Sequence, residues 1–99
     1  MASRNLFLTP TAEEGLLEIE TYIEREFGAT SLAQFDADMD TLFEQIRELP
    51  FAGQAVNTPK GLVFVRIFNK RTSVYYEVKE DHIRVLYIVD NRKAKSFLD

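Results

Sequence analysis

The chain has no cysteine, no tryptophan, a single histidine and only three prolines in 99 residues. Without cysteine there is no disulfide framework, no thiol nucleophile and no cysteine-ligated zinc. His82 stands alone, which rules out a histidine metal cluster and leaves little from which to build a Ser-His-Asp triad. Neither G-x-x-x-x-G-K nor G-x-G-x-x-G occurs, so no loop is built to cradle a phosphate. No cofactor and no metal are expected. Long apolar runs are also missing: Met1 to Phe7 holds nothing that reads as a signal peptide or a membrane span. A soluble, cytoplasmic protein that does not engage a membrane is the expectation. No linker, repeat or low-complexity tract interrupts residues 1–99, so the chain reads as one domain.

What is present is apolar material and unevenly placed charge. Hydrophobic residues make up 45% of the chain, with eight Phe and four Tyr, enough for one modest core. The net charge of -4 conceals two unlike halves: residues 1–55 carry three basic and eleven acidic side chains, residues 56–99 nine and five. The C-terminal half could thus meet an anionic partner, yet the acidic whole, with a pI near 5.0, is unlike a general nucleic-acid binder. Direct DNA binding is not expected.

Leu6 to Leu8 read as a short first strand. Thr9 then offers an N-cap with Pro10 in the first helical position, where its missing N–H costs nothing. Ala12, Leu16, Ile19 and Ile23 follow at helical spacing up to Gly28, which can close the helix in a positive-φ cap. Thr30 or Ser31 is the expected cap of a second helix, whose stripe runs Leu32, Phe35, Met39, Leu42, Ile46, Leu49 and stops at Pro50. With so few residues between them, the two helices should fold back as an antiparallel hairpin. Phe51 to Gly61 read as a loop. The apolar period then changes to two, and predicts strands over Leu62–Phe68, Thr72–Lys79 and Ile83–Val89. The expected fold is α+β: an N-terminal strand and a helix hairpin packed on an antiparallel sheet of three to four strands.

The strands are apolar on both faces. Strict alternation groups Phe64 and Phe68 in one strand, and Leu86 and Ile88 in another. The helices can cover one face, so these four are candidates for contact with a protein partner or a second copy in a homodimer. Arg66 interrupts an apolar strand, where a charge needs a partner or water. Arg92 and Lys93 follow the last strand and could reach an anion at the sheet rim. Tyr75 and Tyr76 must face opposite ways, one into the core. Glu13/Glu14 and Asp36/Asp38/Asp40 read as a helix start and a solvated helix face, and His82 as a turn residue.

The order strand, helix hairpin, Leu49-Pro50 with Gly53, and a meander carrying Arg66, Val74-Tyr75-Tyr76-Glu77-Val78 and Ile83-Arg84-Val85-Leu86-Tyr87-Ile88 before Arg92 resembles the RelE/ParE toxin superfamily. These are toxins of type II toxin–antitoxin modules, often called plasmid stabilisation proteins. The resemblance implies a cognate antitoxin whose C-terminal segment wraps the toxin, with Phe64, Phe68, Leu86 and Ile88 as the expected antitoxin-binding residues. RelE-like members cleave messenger RNA on the ribosome with scattered Arg, Lys and Tyr, while ParE-like members poison DNA gyrase and are not nucleases. The ParE-like branch fits better: the chain is acidic, Ser73 stands where RelE-like members carry a basic residue, and Phe97 and Leu98 stand near their late tyrosine. The implied target-binding residues are Arg66, Arg92 and Lys93. A nuclease alternative would use Arg66, Tyr75 and Arg92, and a third alternative is a non-toxic antitoxin-binding relative.

Overall fold

The computed structural model describes residues 4–91. Strand β1 (Asn5–Leu8) leads into helix α1 (Pro10–Phe27), helix α2 (Ala29–Glu48), a 3-10 turn (Pro50–Ala52) and strands β2 (Gln54–Thr58), β3 (Gly61–Phe68), β4 (Thr72–Val78) and β5 (His82–Asp90). The strands form one sheet in the order β1-β5-β4-β3-β2. All neighbours are antiparallel except β1 and β5, which run parallel. The helix hairpin on a mostly antiparallel sheet is the architecture that the periodicities predict, widened to five strands by β2. That strand lies within the segment expected to be a loop. Its short, polar run Gln-Ala-Val-Asn-Thr carries no apolar alternation, and pairing with β3 alone makes it a strand.

Thr9 caps α1 as expected, its Oγ1 accepting from the Ala12 N–H at 3.1 Å, with Pro10 following. The two helices are separated by Gly28 alone, at φ 92°. That conformation suits glycine, and it brings α2 forward to Ala29. Thr30 and Ser31 are therefore inside the helix and cap nothing; α2 has no side-chain cap.

The core lies between the hairpin and one sheet face. Ala12 and Ile19 of α1 and Phe35, Met39, Leu42 and Ile46 of α2 meet Phe64, Val74, Tyr76, Ile83, Val85 and Ile88. Phe35 sets its edge against Phe68 at 5.8 Å, and Phe64 stacks on Tyr76 at the same spacing. Tyr76 is fully buried, and its hydroxyl donates to the Pro50 carbonyl at 2.7 Å. That bond uses the hydroxyl proton of the buried side chain and ties the end of α2 to the sheet centre.

A β-bulge decides which face each β5 residue occupies. Tyr75 pairs with Tyr87 but Tyr76 pairs with Val85, leaving Leu86 as the extra residue. The carbonyls on either side of the kink are used at once: Thr9 N–H donates to Val85 O at 3.0 Å and Thr9 Oγ1 to Leu86 O at 2.9 Å. Beyond the bulge the parity reverses. Ile88 joins Ile83 and Val85 in the core, and Tyr87 turns outward. Gly15 of α1 closes the same edge, since a Cβ there would lie 2.1 Å from the Ile88 carbonyl oxygen.

Candidate functional site

Strand β3 and the turn after it carry the most distinctive chemistry. Arg66 pairs in register with Val74, so it lies on the helix-covered face, in line with Phe64 and Phe68. It is half-buried there, and its guanidinium donates to the Gln45 side-chain oxygen on α2 at 3.1 Å. The charge is also felt by the Tyr76 phenol. Burial pushes that pKa up, while the nearby Arg66 and a backbone hydrogen bond from Gly53 oppose the rise.

The β3–β4 connection follows from Asn69 and Lys70, both at positive φ (54° and 61°), with Arg71 N–H donating to Phe68 O at 3.1 Å. This is the mirror-image turn that the twist of a hairpin favours; Asn suits it, whereas Lys70 adopts it against its Cβ. The turn presents Lys70 and Arg71 at the sheet end. Arg25, Arg47, Lys79, His82 and Arg84 each have a carboxylate partner. Among the described residues Arg4, Lys60, Arg66, Lys70 and Arg71 make no ion pair. Three of these five lie on β3 and the turn after it, and unpaired cations on an acidic chain suit recognition of an anionic surface.

Arg71 also lines a groove of about 270 Å³ between the hairpin tip and the sheet end, with Tyr22, Phe27, Phe35, Asp38 and Asp90. The chain leaves the sheet at this end: Asn91 N–H donates to Arg71 O at 2.6 Å. Arg92 and Lys93, the other expected target-binding residues, lie outside the described residues.

Arg66 and Tyr75 are not brought together. Tyr75 pairs with Val65, so it faces away from the helices, where its ring meets Tyr87 edge-on at 6.4 Å. His82 lies at the opposite end of the sheet from Lys70, hydrogen-bonded to Asp81 at 2.7 Å, a contact that holds the Asp81 carboxyl below its usual range. The sequence suggested a turn residue; His82 is instead the first residue of β5, in register with Asn5 of β1, and its ring meets Phe7 edge-on at 5.9 Å. No group of three or more potential metal ligands occurs among the described residues, and no described helix is long and apolar enough to cross a membrane.

The four residues offered as partner contacts divide. Phe64 is 7% and Ile88 1% exposed, which puts them beneath the helices rather than on an open face. Phe68 and Leu86 are half-buried, Phe68 packing on the core. The large apolar side chains that do reach solvent include Leu17 and Phe27 on α1, Phe51 in the 3-10 turn, and Leu62 and Ile67 on β3.

One interaction escaped the sequence. Glu20 of α1 and Asp36 of α2 meet across the hairpin, and partial burial, with the hydrogen bond and like charge of Asp36, raises Glu20 from 4.5 to about 7. Helical periodicity places each residue on its own helix, but nothing in the sequence says which turn of α1 faces which turn of α2.

The family model for the ParE toxin of the type II toxin–antitoxin system parDE matches residues 6–95. Among solved structures, a chain of the chromosomal ParDE TA system from P. aeruginosa superposes with a TM-score of 0.75 at 19% identity, covering 89% of this chain and 96% of that one. At that identity the likeness speaks for the fold. No curated protein matches the chain.

Proposed function

Since the chain belongs to the ParE toxin family of type II toxin–antitoxin systems, we propose that it arrests growth by binding DNA gyrase and that a cognate antitoxin neutralises it. In this reading the toxin works as a protein ligand. Its contacts are Arg66, with Arg92 and Lys93 beyond the described segment, and the turn cations Lys70 and Arg71 extend that set. The antitoxin covers exposed apolar positions such as Leu17 and Phe27, with the accessible parts of Phe68 and Leu86.

The observation that carries the choice of poisoning over cleavage is the placement of Arg66 and Tyr75 on opposite sheet faces. Cleavage of a phosphodiester by general acid–base catalysis needs proton-transfer groups and a charge stabiliser around one phosphate. Arg66 has Gln45 and a buried, hydrogen-bonded tyrosine for neighbours. Neither is set to move a proton on an outside substrate. A cation held half-buried by a neutral amide is better suited to anchoring in an acidic protein surface.

The test is induced expression of the chain alone, with growth and message integrity followed together. Arrest with intact messages and induction of the DNA-damage response is expected. Arrest with messages cut on the ribosome would overturn the proposal in favour of an mRNA interferase, and normal growth in favour of a non-toxic antitoxin-binding protein.

A further inference from the structure

A charge on the helix-covered face of a sheet is ordinarily matched by an opposite charge brought across from the helices. At Arg66 the group that α2 brings across is an amide. Gln45 Oε1 accepts from the guanidinium at 3.1 Å, the one hydrogen bond of that side chain among the described residues. Acidic residues are not scarce on this helix: Glu44 precedes Gln45 directly and Glu48 follows it by three. Glu44 is held by Arg47 at 2.6 Å, and neither carboxylate pairs with Arg66.

The guanidinium is held in place by other means. Gly53 packs its backbone against the Arg66 stem: a Cβ there would lie 3.4 Å from Arg66 Cδ and 2.7 Å from the Tyr76 hydroxyl. Gln45 belongs to the last turn of α2, its own carbonyl accepting from the Leu49 N–H at 2.8 Å. The negative end of the helix dipole favours a cation beside it without discharging it. A guanidinium has five N–H donors. One goes to Gln45, and the others keep the full positive charge behind them.

We propose that Gln45 is a positioning and specificity-determining residue, whose amide orients Arg66 without neutralising it so that the guanidinium can fork onto a carboxylate side chain of the protein target. This role presupposes that Arg66 is a target contact. A planar guanidinium fixed at one corner presents its remaining donors in one orientation, which is what bidentate recognition of a carboxylate needs. A glutamate at position 45 would hold the same geometry and stand in for the target's own carboxylate. An aliphatic side chain there would leave the charge and lose the orientation.

Gln45→Glu separates this role from a merely structural one, because it keeps the acceptor and cancels the charge. Gln45→Met keeps the length and neutrality but removes the acceptor. Both are induced beside the parent chain and Arg66→Ala at equal protein level, with killing read by colony counts and melting by circular dichroism. Gln45→Glu should melt no lower than the parent yet kill at least about tenfold less, and Gln45→Met should fall between the two. A folded Gln45→Glu chain that kills like the parent, with Arg66→Ala inactive, would overturn the role of Gln45 and leave Arg66 as a target contact. A Gln45→Glu chain that melts below the parent would also overturn it, since a carboxylate there must bond Arg66 at least as well as the amide does. Undiminished killing by Arg66→Ala, or a parent that does not kill, would overturn both readings. Supercoiling by purified gyrase in the presence of the same chains identifies the target. Inhibition lost in parallel with killing places the carboxylate on gyrase; killing that follows the variants while supercoiling is untouched supports the role of Gln45 and overturns only the choice of gyrase.

Discussion

Replacing Gly15 by alanine distinguishes a packing glycine from an ordinary helical one by the sign of the effect. At a solvent-facing helix position, Gly→Ala stabilises by about 1 kcal/mol because alanine loses less backbone freedom on folding. Here the new Cβ would lie 2.1 Å from Ile88 O and 3.2 Å from the carbonyl carbon, both backbone atoms that cannot rotate away. Restoring ordinary van der Waals separation requires α1 to move outward by roughly 1 Å. That motion lifts Ala12 and Ile19 from the core and stretches the Thr9 bonds to the bulge. Overpacking of this kind costs about 1–3 kcal/mol, and the lost Thr9 contacts add about 1 kcal/mol. Set against the helix gain, the net expectation is a loss of about 2 kcal/mol. In a domain of this length that lowers the melting temperature by roughly 8–16 °C. Urea denaturation of Gly15→Ala beside Glu14→Ala, an exposed neighbour, is the assay. A Gly15→Ala protein more stable than the parent would refute the close approach of α1 to β5.

Tyr76→Phe removes the bond to Pro50 O and leaves a buried carbonyl unpaired, so it should cost about 1–2 kcal/mol in the same urea assay. Lys70→Gly relieves the positive-φ strain in a turn that favours Asn-Gly, and should stabilise by about 0.5–1 kcal/mol. The Glu20–Asp36 pair makes stability depend on pH with a definite sign. Because Glu20 is raised to about 7 when folded, the native state holds its proton more tightly than the unfolded chain. The pair is therefore least costly below about pH 4.5 and increasingly destabilising as pH rises from there through 7. Asp36→Asn should raise the urea midpoint at pH 8 and leave it nearly unchanged at pH 4. Arg66→Ala should abolish killing at equal protein level, read by colony counts after induction.

The core and its elements were legible where one physical rule governs a whole stretch. The stripe Phe35, Met39, Leu42, Ile46 is buried as a unit because helical geometry leaves it no choice, and Thr9-Pro10 starts α1 because both residues suit that junction for local reasons. Three features escaped such reading. Strand β2 exists through its pairing with β3, a long-range fact absent from its composition. Ile88 reached the core through one extra residue at Leu86, and strict alternation has no means of expecting a bulge whose carbonyls are satisfied by Thr9, far away in sequence. The α1–α2 seam is set by a one-residue connection at Gly28. That geometry, not periodicity, brings Glu20 to Asp36. The site was half legible: Arg66 was conspicuous as a charge in an apolar strand, while the turn cations Lys70 and Arg71 gained interest only once they proved to have no carboxylate partner among the described residues.

The central claim is that this ParE-family chain acts by binding a protein target through Arg66 and its neighbouring cations. The most direct measurement is the supercoiling of relaxed plasmid by purified gyrase in the presence of the purified chain and its Arg66→Ala variant. Inhibition by the parent chain and little or none by Arg66→Ala is the expected result. Undisturbed supercoiling at saturating chain, with translated messages cut in a parallel reaction, would contradict it.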